Sequence, residues 1–231
     1  MATARVDALR TGGPAMPRPW RLFLELIYRG VGINPWDGKS GSPVPGLASV
    51  IEGPARRAPG RAIDLGCGFG RNAIYLARHG WDVTAVEMIP AALAAVGRKA
   101  DAAGVQVRRV LGDVTRLGDL PVDDGYTLLL DAGCYHMLAA GRRPHYAAGV
   151  TSVAAPGALL LMTGWMKAPG ASLTTRELRS GFPRWELVVA EPVPARAMLD
   201  YIDFSSVLRR PLTNGSLQAW TYQLVRRGGV S

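Results

Sequence analysis

The sequence predicts an open α/β fold built on a parallel central sheet, and three stretches carry that expectation. The first is Ala62–Leu65, a short apolar run that leads into Gly66-Cys67-Gly68-Phe69-Gly70 and then into a helix from Asn72 to Arg78. Strand, glycine turn and helix in that order form the opening of a βαβ unit. The second is Asp82-Val-Thr-Ala-Val-Glu87, a strand that ends in an acid 21 residues after Gly66. The third is Tyr126-Thr-Leu-Leu-Leu-Asp131, whose apolar run suits a strand buried on both faces.

The glycine turn sets the chemistry. Glycines at 66, 68 and 70 remove Cβ atoms where the chain turns sharply and where a ligand must come close. A ligand at this turn is expected to meet backbone N–H groups and a helix N-terminus. The spacing is Gly-x-Gly-x-Gly, which differs from the Gly-x-Gly-x-x-Gly of dinucleotide enzymes. Asp64, two residues before the first glycine, suits a cationic amine and repels a pyrophosphate. Glu87, at the tip of the second strand, is placed to accept from two ribose hydroxyls. Together the two acids fit a ligand with an amino-acid end and a nucleoside end.

With Asp64-Leu-Gly-Cys-Gly-Phe-Gly70, Val86-Glu87, Gly112-Asp113-Val114 and Asp131 in that order, the chain resembles the class I S-adenosylmethionine (SAM)-dependent methyltransferases. Within that class it looks like the TehB-like and thiopurine-methyltransferase-like small-molecule enzymes. Those often carry a Pro-Trp-Asp-x-Gly entry segment, seen here in the shorter form Pro35-Trp36-Asp37-Gly38, and a cysteine and histidine after strand four, here Gly133-Cys134-Tyr135-His136. The resemblance implies a Rossmann-like, seven-stranded, mostly parallel sheet with an antiparallel last strand, helices on both faces and an N-terminal helical lid. It implies SAM as cofactor and S-adenosylhomocysteine as product. The cofactor contacts it implies begin at Trp36, Asp64, Gly66, Cys67, Gly68 and Gly70. They continue at Glu87 and Met88 for the ribose, at Asp113 and Val114 for the adenine edge, and at Asp131.

The remaining elements follow in order. Residues 1–19 read as a disordered leader without an apolar secretory core. Trp20, Phe23, Leu24, Ile27 and Tyr28 make one apolar helical face over 20–29. That helix is either packed on the domain, a lid over the substrate, or a membrane-surface element. Asn34 to Pro45 is a proline-rich loop, which places a lid helix and loop at 20–58 and the SAM-binding domain at 59–231. Helices are expected at Leu47–Arg57, Pro90–Ala103 and Gly141–Ala154, and one through Ser180 capped by Ser172 or Thr174. Further strands are expected at Val105–Val110, Ala158–Met162, Trp185–Ala190 and Ala219–Val225.

Composition excludes several classes. No apolar run reaches the roughly 18–20 residues of a membrane span. Two cysteines in 231 residues point to a reducing, cytoplasmic setting rather than a disulfide framework. The net charge of +9 comes with arginines scattered singly or in pairs, so no nucleic-acid stripe is expected. Cys67 and Cys134 follow neighbouring strands, as either inert turn and wall residues or a nearby thiol pair. No spacing of His, Cys, Asp or Glu resembles a metal site.

Methyl transfer needs the acceptor, the methyl and the sulfur in line, and a route for the acceptor's proton. His136 is the candidate general base, since an ordinary imidazole value of about 6.5 suits that task. Its alternative role is to shape the loop. Tyr28, Cys134, Tyr135, Trp165 and Met166 are candidates for the acceptor pocket, or plain core. Asp131 either supports the methionine end of the cofactor or faces the substrate. The expected partner is a small, aromatic or apolar methyl acceptor, in secondary-metabolite tailoring or detoxification. The alternatives are an RNA or protein methyltransferase, or a non-methylating SAM-fold protein that binds a ligand or steers a cyclisation.

Overall fold

The computed structural model describes residues 41–165, 173–202 and 210–228. The expected leader and lid helix, and the candidate contacts Tyr28, Trp36 and Met166, lie outside the described residues, as does Ser172.

Seven strands form one sheet: β1 (Arg61–Leu65), β2 (Asp82–Glu87), β3 (Arg108–Leu111), β4 (Tyr126–Ala132), β5 (Ala154–Trp165), β6 (Trp185–Pro192) and β7 (Ala219–Arg226). Their order is β3-β2-β1-β4-β5-β7-β6. The first five are parallel, and β7 runs antiparallel to both β5 and β6. The order reverses between β1 and β4, which opens a crevice at their carboxyl ends, the place where sheets of this kind bind ligands.

Side chains of successive strand residues point to opposite faces, and here both faces are covered. On one face Ile63, Leu65, Leu129, Leu160 and Met162 pack with Tyr146 and Val150. Those two belong to helix α4 (Arg143–Val153). Helix α5 (Thr175–Gly181) closes the same layer through Leu178 and its C-terminal Phe182. On the other face Ala62, Leu128, Leu130 and Leu161 pack with α1 (Leu47–Glu52), α2 (Arg71–Arg78) and α3 (Pro90–Ala103). Thus β4 is buried on both sides, which is why it reads as unbroken apolar sequence.

Several boundaries differ from the sequence reading, each for a local reason. Helix α1 ends at Glu52 because Gly53 leaves the helical region and Pro54 follows. Strand β3 begins only at Arg108, where pairing to Thr84 starts, so Val105 and Val107 lie before it. Strand β5 starts at Ala154 and not at the expected Ala158, with an irregularity in its pairing opposite Tyr126 to Leu128. The cap of α5 is Thr174, in a full capping box with Glu177. Helix α6 (Ala195–Tyr201) was not expected from the sequence. It buries Met198, beside Val193, Ile202 and Ala219.

Leu129 is fully buried at the centre of the sheet. Leu129→Ala is therefore expected to cost about 2–5 kcal/mol in urea unfolding. Val188, exposed on edge strand β6, should change by no more than about 0.5 kcal/mol as Val188→Thr. Equal losses at the two positions would contradict this placement of the core.

Candidate active site

A cleft opens over the carboxyl ends of β1, β2, β4 and β5. The sheet brings three carboxylates to this end of the molecule: Asp64 from β1, Glu87 from β2 and Asp131 from β4, all at least 95% buried. Their surroundings assign them different tasks.

Glu87 is held by its own turn. Its Oε2 accepts from Gly68 N–H at 3.0 Å, and its Oε1 accepts from Met88 and Ile89 N–H at 2.7 and 3.0 Å. Burial still raises its pKa above the ordinary value. Glu87 lines the cleft beside Gly68 and Met88.

Asp64 is left incomplete. It accepts from the N–H of Ala73 at the start of α2, while its Oδ2 is buried without a partner among the described residues. Burial, reinforced by the charges of Asp131 and Glu87, pushes its carboxyl up to about 7. A cation in the cleft would satisfy this oxygen and relieve the repulsion.

The N–H groups of the turn's three glycines and of Cys67 are engaged within the protein and not offered to a ligand as the sequence suggested. Gly66 and Cys67 N–H both donate to Val86 O, Gly68 N–H to Glu87, and Gly70 N–H to Cys67 O. The turn's contribution is space. Gly66 has φ of +73°, and a Cβ there would lie 2.9 Å from Cys134 Sγ. The turn can therefore lie directly against the loop that follows β4. Cys67 and Cys134 both line the cleft, and burial raises both thiols well above their ordinary value, so they stay protonated and inert at neutral pH.

Asp131 corrects an expectation. Its Oδ1 accepts from Gly133 and Cys134 N–H at 3.1 and 2.8 Å, and its Oδ2 from Tyr135 N–H at 2.9 Å and Tyr146 Oη at 2.6 Å. With four donors it clips the loop after β4 and does not line the cleft. Neither does Tyr135, which is buried against Tyr146 and Phe182 as core. From the other side Arg143 donates to His136 O at 3.1 Å, Leu138 O at 3.2 Å and Glu177 Oε1 at 3.1 Å. The loop carrying Cys134, His136, Met137 and Leu138 is thus held at both ends.

His136 lines the cleft and is 5% exposed, and its Nδ1 is buried without a partner. Burial first, and the charge of Arg143 second, push its pKa down to about 4. Trp165 also lines the cleft, with Met198, Tyr201 and Ile202 at the end of α6.

At the far end Asp113 accepts from Thr115 N–H and Oγ1 at 2.9 and 2.8 Å and pairs with Arg142, which also donates to Thr115 Oγ1. These partners hold its carboxyl below the ordinary range despite burial. Val114 lines the cleft beside it. Sequence reasoning missed Arg142, whose only signal was its place where the loop after β4 enters a helix. It also missed Thr163, whose Oγ1 is buried, unpartnered and in the cleft wall. Among the described residues no group of three His, Cys, Asp or Glu side chains is arranged to hold a metal ion. No described helix is long and apolar enough to cross a membrane.

Residues 62–157 match the family model described as "Methyltransferase domain". "Hemagglutinin 1" of Eikenella corrodens is 31% identical over 58% of this chain and 46% of its own length. A 2-heptyl-1-hydroxyquinolin-4(1H)-one methyltransferase of Mycobacteroides abscessus is 28% identical over 58% of this chain and 57% of its own. The chain thus spans about half the length of these curated relatives. Among solved structures, one from work on conversion of a disulfide bond into a thioacetal group during echinomycin biosynthesis superposes with a TM-score of 0.69. It is 23% identical, over 90% of this chain and 92% of that one. The 1,6-didemethyltoxoflavin-N1-methyltransferase of Burkholderia thailandensis, with S-adenosylhomocysteine bound, superposes with a TM-score of 0.64 at 18% identity over 97% and 99%. At these identities the structural likeness is one of fold.

The buried acids set the pH dependence of stability. In the folded protein Asp64 lies at about 7 and Asp131 at about 6, against an ordinary value of 3.8. Between those limits these two acids hold more protons in the folded state than in the unfolded state, which makes stability fall as pH rises, and the depressed value of His136, about 4, opposes them in part below about pH 6.5. The ligand-free protein should melt several degrees higher at about pH 5.5 than at about pH 8, and Asp64→Asn should flatten that difference. A wild-type melting temperature independent of pH over this range would contradict the reading.

Proposed function

The chain carries a class I SAM-dependent methyltransferase domain, and on that premise we propose that it methylates a small, apolar or aromatic molecule at an oxygen, sulfur or nitrogen nucleophile. The observation that carries the proposal is the unpartnered, buried Oδ2 of Asp64, beside a second acid, Glu87, in the same cleft. Bound there, SAM supplies an electrophilic methyl group on a positively charged sulfur. A cationic ligand is what this end of the sheet lacks. Asp64 would take the amine, in keeping with its incomplete hydrogen bonding. Glu87 retains one lone-pair site, on Oε2, for a ribose hydroxyl, since three backbone donors occupy the rest of its about four. Asp113 and Val114 would border the adenine. That carboxylate is already oriented by Thr115 and Arg142, so the rim of the base site is ordered in advance.

The acceptor end is built differently. Met137, Leu138, Trp165, Met198 and Ile202 give it an apolar wall, broken by His136 and Thr163. An apolar wall with few polar groups orients a flat, poorly charged molecule. The quinolone methyltransferase among the relatives acts on a molecule of that kind, which supports the same class of acceptor here. Tailoring or detoxification of such compounds is the role this reading favours.

Calorimetric titration tests the cofactor placement. Asp64→Ala and Glu87→Ala should each weaken SAM binding by about 10- to 100-fold, the equivalent of one hydrogen bond to a charged group. Wild-type affinity in both variants would overturn it. Methylation of thiols, phenols and N-heterocycles, read by mass spectrometry of the products, tests the activity. Tight SAM binding with no methylated product from any acceptor would favour the non-methylating alternative instead.

A further inference from the structure

We propose that His136 acts on the acceptor as a hydrogen-bond donor through its Nε2–H, and not as the base that removes the acceptor's proton. The inference rests on the methyltransferase reading above and names the acceptor class for that site. The acceptor is a weakly acidic O–H, S–H or N–H compound that gives its proton to water and reacts as its anion.

The geometry begins with the ring's inner nitrogen. His136 Nδ1 is buried and has no hydrogen-bond partner among the described residues. It lies 3.3 Å from where a Cβ of Gly164 would stand, with Leu173 Cδ2 at 3.0 Å from the same point. The adjoining ring carbon, Cε1, lies 3.4 Å from the Cβ position of Gly133. Nδ1 therefore faces β5 at Gly164, buried from solvent, between two glycines that themselves line the cleft. A buried N–H without an acceptor is the rarer and costlier defect, and a bare lone pair is the more tolerable one. The ring accordingly keeps Nδ1 unprotonated, and we assign its single proton to Nε2, the other nitrogen of a ring that lines the cleft.

A second proton is opposed from several directions. Arg143, from α4, donates to the main-chain oxygen of His136 and sets a fixed positive charge beside that loop. Glu177, from α5, is paired to that arginine and so does not offset it at the ring. On the histidine's own loop Asp131 is consumed by three N–H groups and Tyr146, and Cys134 remains a neutral thiol. Burial acts in the same direction, and the imidazole lies far below its ordinary range. A neutral ring with its proton on Nε2 has no lone pair facing the cleft, so it cannot receive a proton there. It can donate one hydrogen bond.

The proton balance then closes without a protein base. The acceptor loses its proton to bulk water, the anion's lone pair forms the new bond to the methyl carbon, and the electrons of the broken carbon–sulfur bond stay on sulfur. His136 holds the anion in place and favours the ionised acceptor over the neutral one. Acceptors whose own pKa lies near or below the working pH are favoured over alkyl alcohols and unactivated amines.

The decisive measurement is made without turnover. In protein labelled with ¹⁵N-histidine and loaded with S-adenosylhomocysteine, two-bond ¹H–¹⁵N correlations report the tautomer of each of the three histidines. His136 is assigned by the signal lost in His136→Phe. The expected result is a neutral ring with the proton on Nε2 at every pH from about 5 to about 8, set against the ordinary value of about 6.5. A proton on Nδ1, or a titration near that ordinary value, would overturn the proposal. Turnover gives the second readout. His136→Gln keeps a donor but offers no base, and it should lose less than about tenfold in kcat, whereas His136→Phe should lose about a hundredfold or more. Equal losses in the two variants, both still binding S-adenosylhomocysteine, would also overturn it. Failure of the wild type to methylate any acceptor would instead sink the functional reading, while the spectra would still decide the state of the ring.

Discussion

Three carboxylates cannot be packed at one end of a sheet, out of water, without each finding donors, an opposite charge or a proton. That constraint organises the active end of this molecule. Glu87 and Asp131 meet it with backbone N–H groups: three for Glu87, and three plus the Tyr146 hydroxyl for Asp131. Asp64 meets it only in part, through Ala73, and keeps one oxygen unsatisfied. The two satisfied acids shape loops. The unsatisfied one marks where a ligand's positive charge belongs.

The two ends of the cleft are braced by different arginines that are neighbours in sequence. Arg142 reaches back to Asp113 and Thr115 and fixes the turn after β3. Arg143 reaches forward to the loop after β4 and to Glu177, whose other oxygen closes the capping box on Thr174. The start of α4 therefore ties together the end proposed for adenine, the loop that carries His136 and the cap of α5. Such bracing suits a site in which the acceptor must be held in line with a bound methyl group, since small misplacements cost rate steeply.

How much of this was legible in the sequence follows from how local each interaction is. The β1–turn–α2 unit, Glu87 at the tip of β2 and the double-sided burial of β4 are written in short stretches, and the structure shows them where the residues pointed. Asp131 was visible as an acid after a strand, but its role was not. Its partners are the N–H groups of a tight turn and a tyrosine fifteen residues away, and only the folded loop brings them together. The turn N–H groups of Gly66 and Cys67 read as free because their acceptor, Val86 O, belongs to the next strand. Arg142 was one arginine in a pair on an arginine-rich chain. Helix α6 has one buried residue, Met198, and begins after Pro194 without a side-chain cap, so neither periodicity nor capping announced it.

Proton linkage in the calorimeter tests the central claim most directly, namely that Asp64 is held partly protonated in the free protein and is ionised by a cationic ligand. SAM is titrated into the protein in two buffers of different ionisation enthalpy, at about pH 8 and about pH 6, on either side of the value of about 7 for Asp64. The account predicts almost no proton release at the higher pH and a release approaching one proton per SAM bound at the lower. It also predicts that Asp64→Asn abolishes that release. Binding of SAM with no proton released at either pH would contradict it, because the acid would then be ionised before the ligand arrives or would not meet the ligand at all.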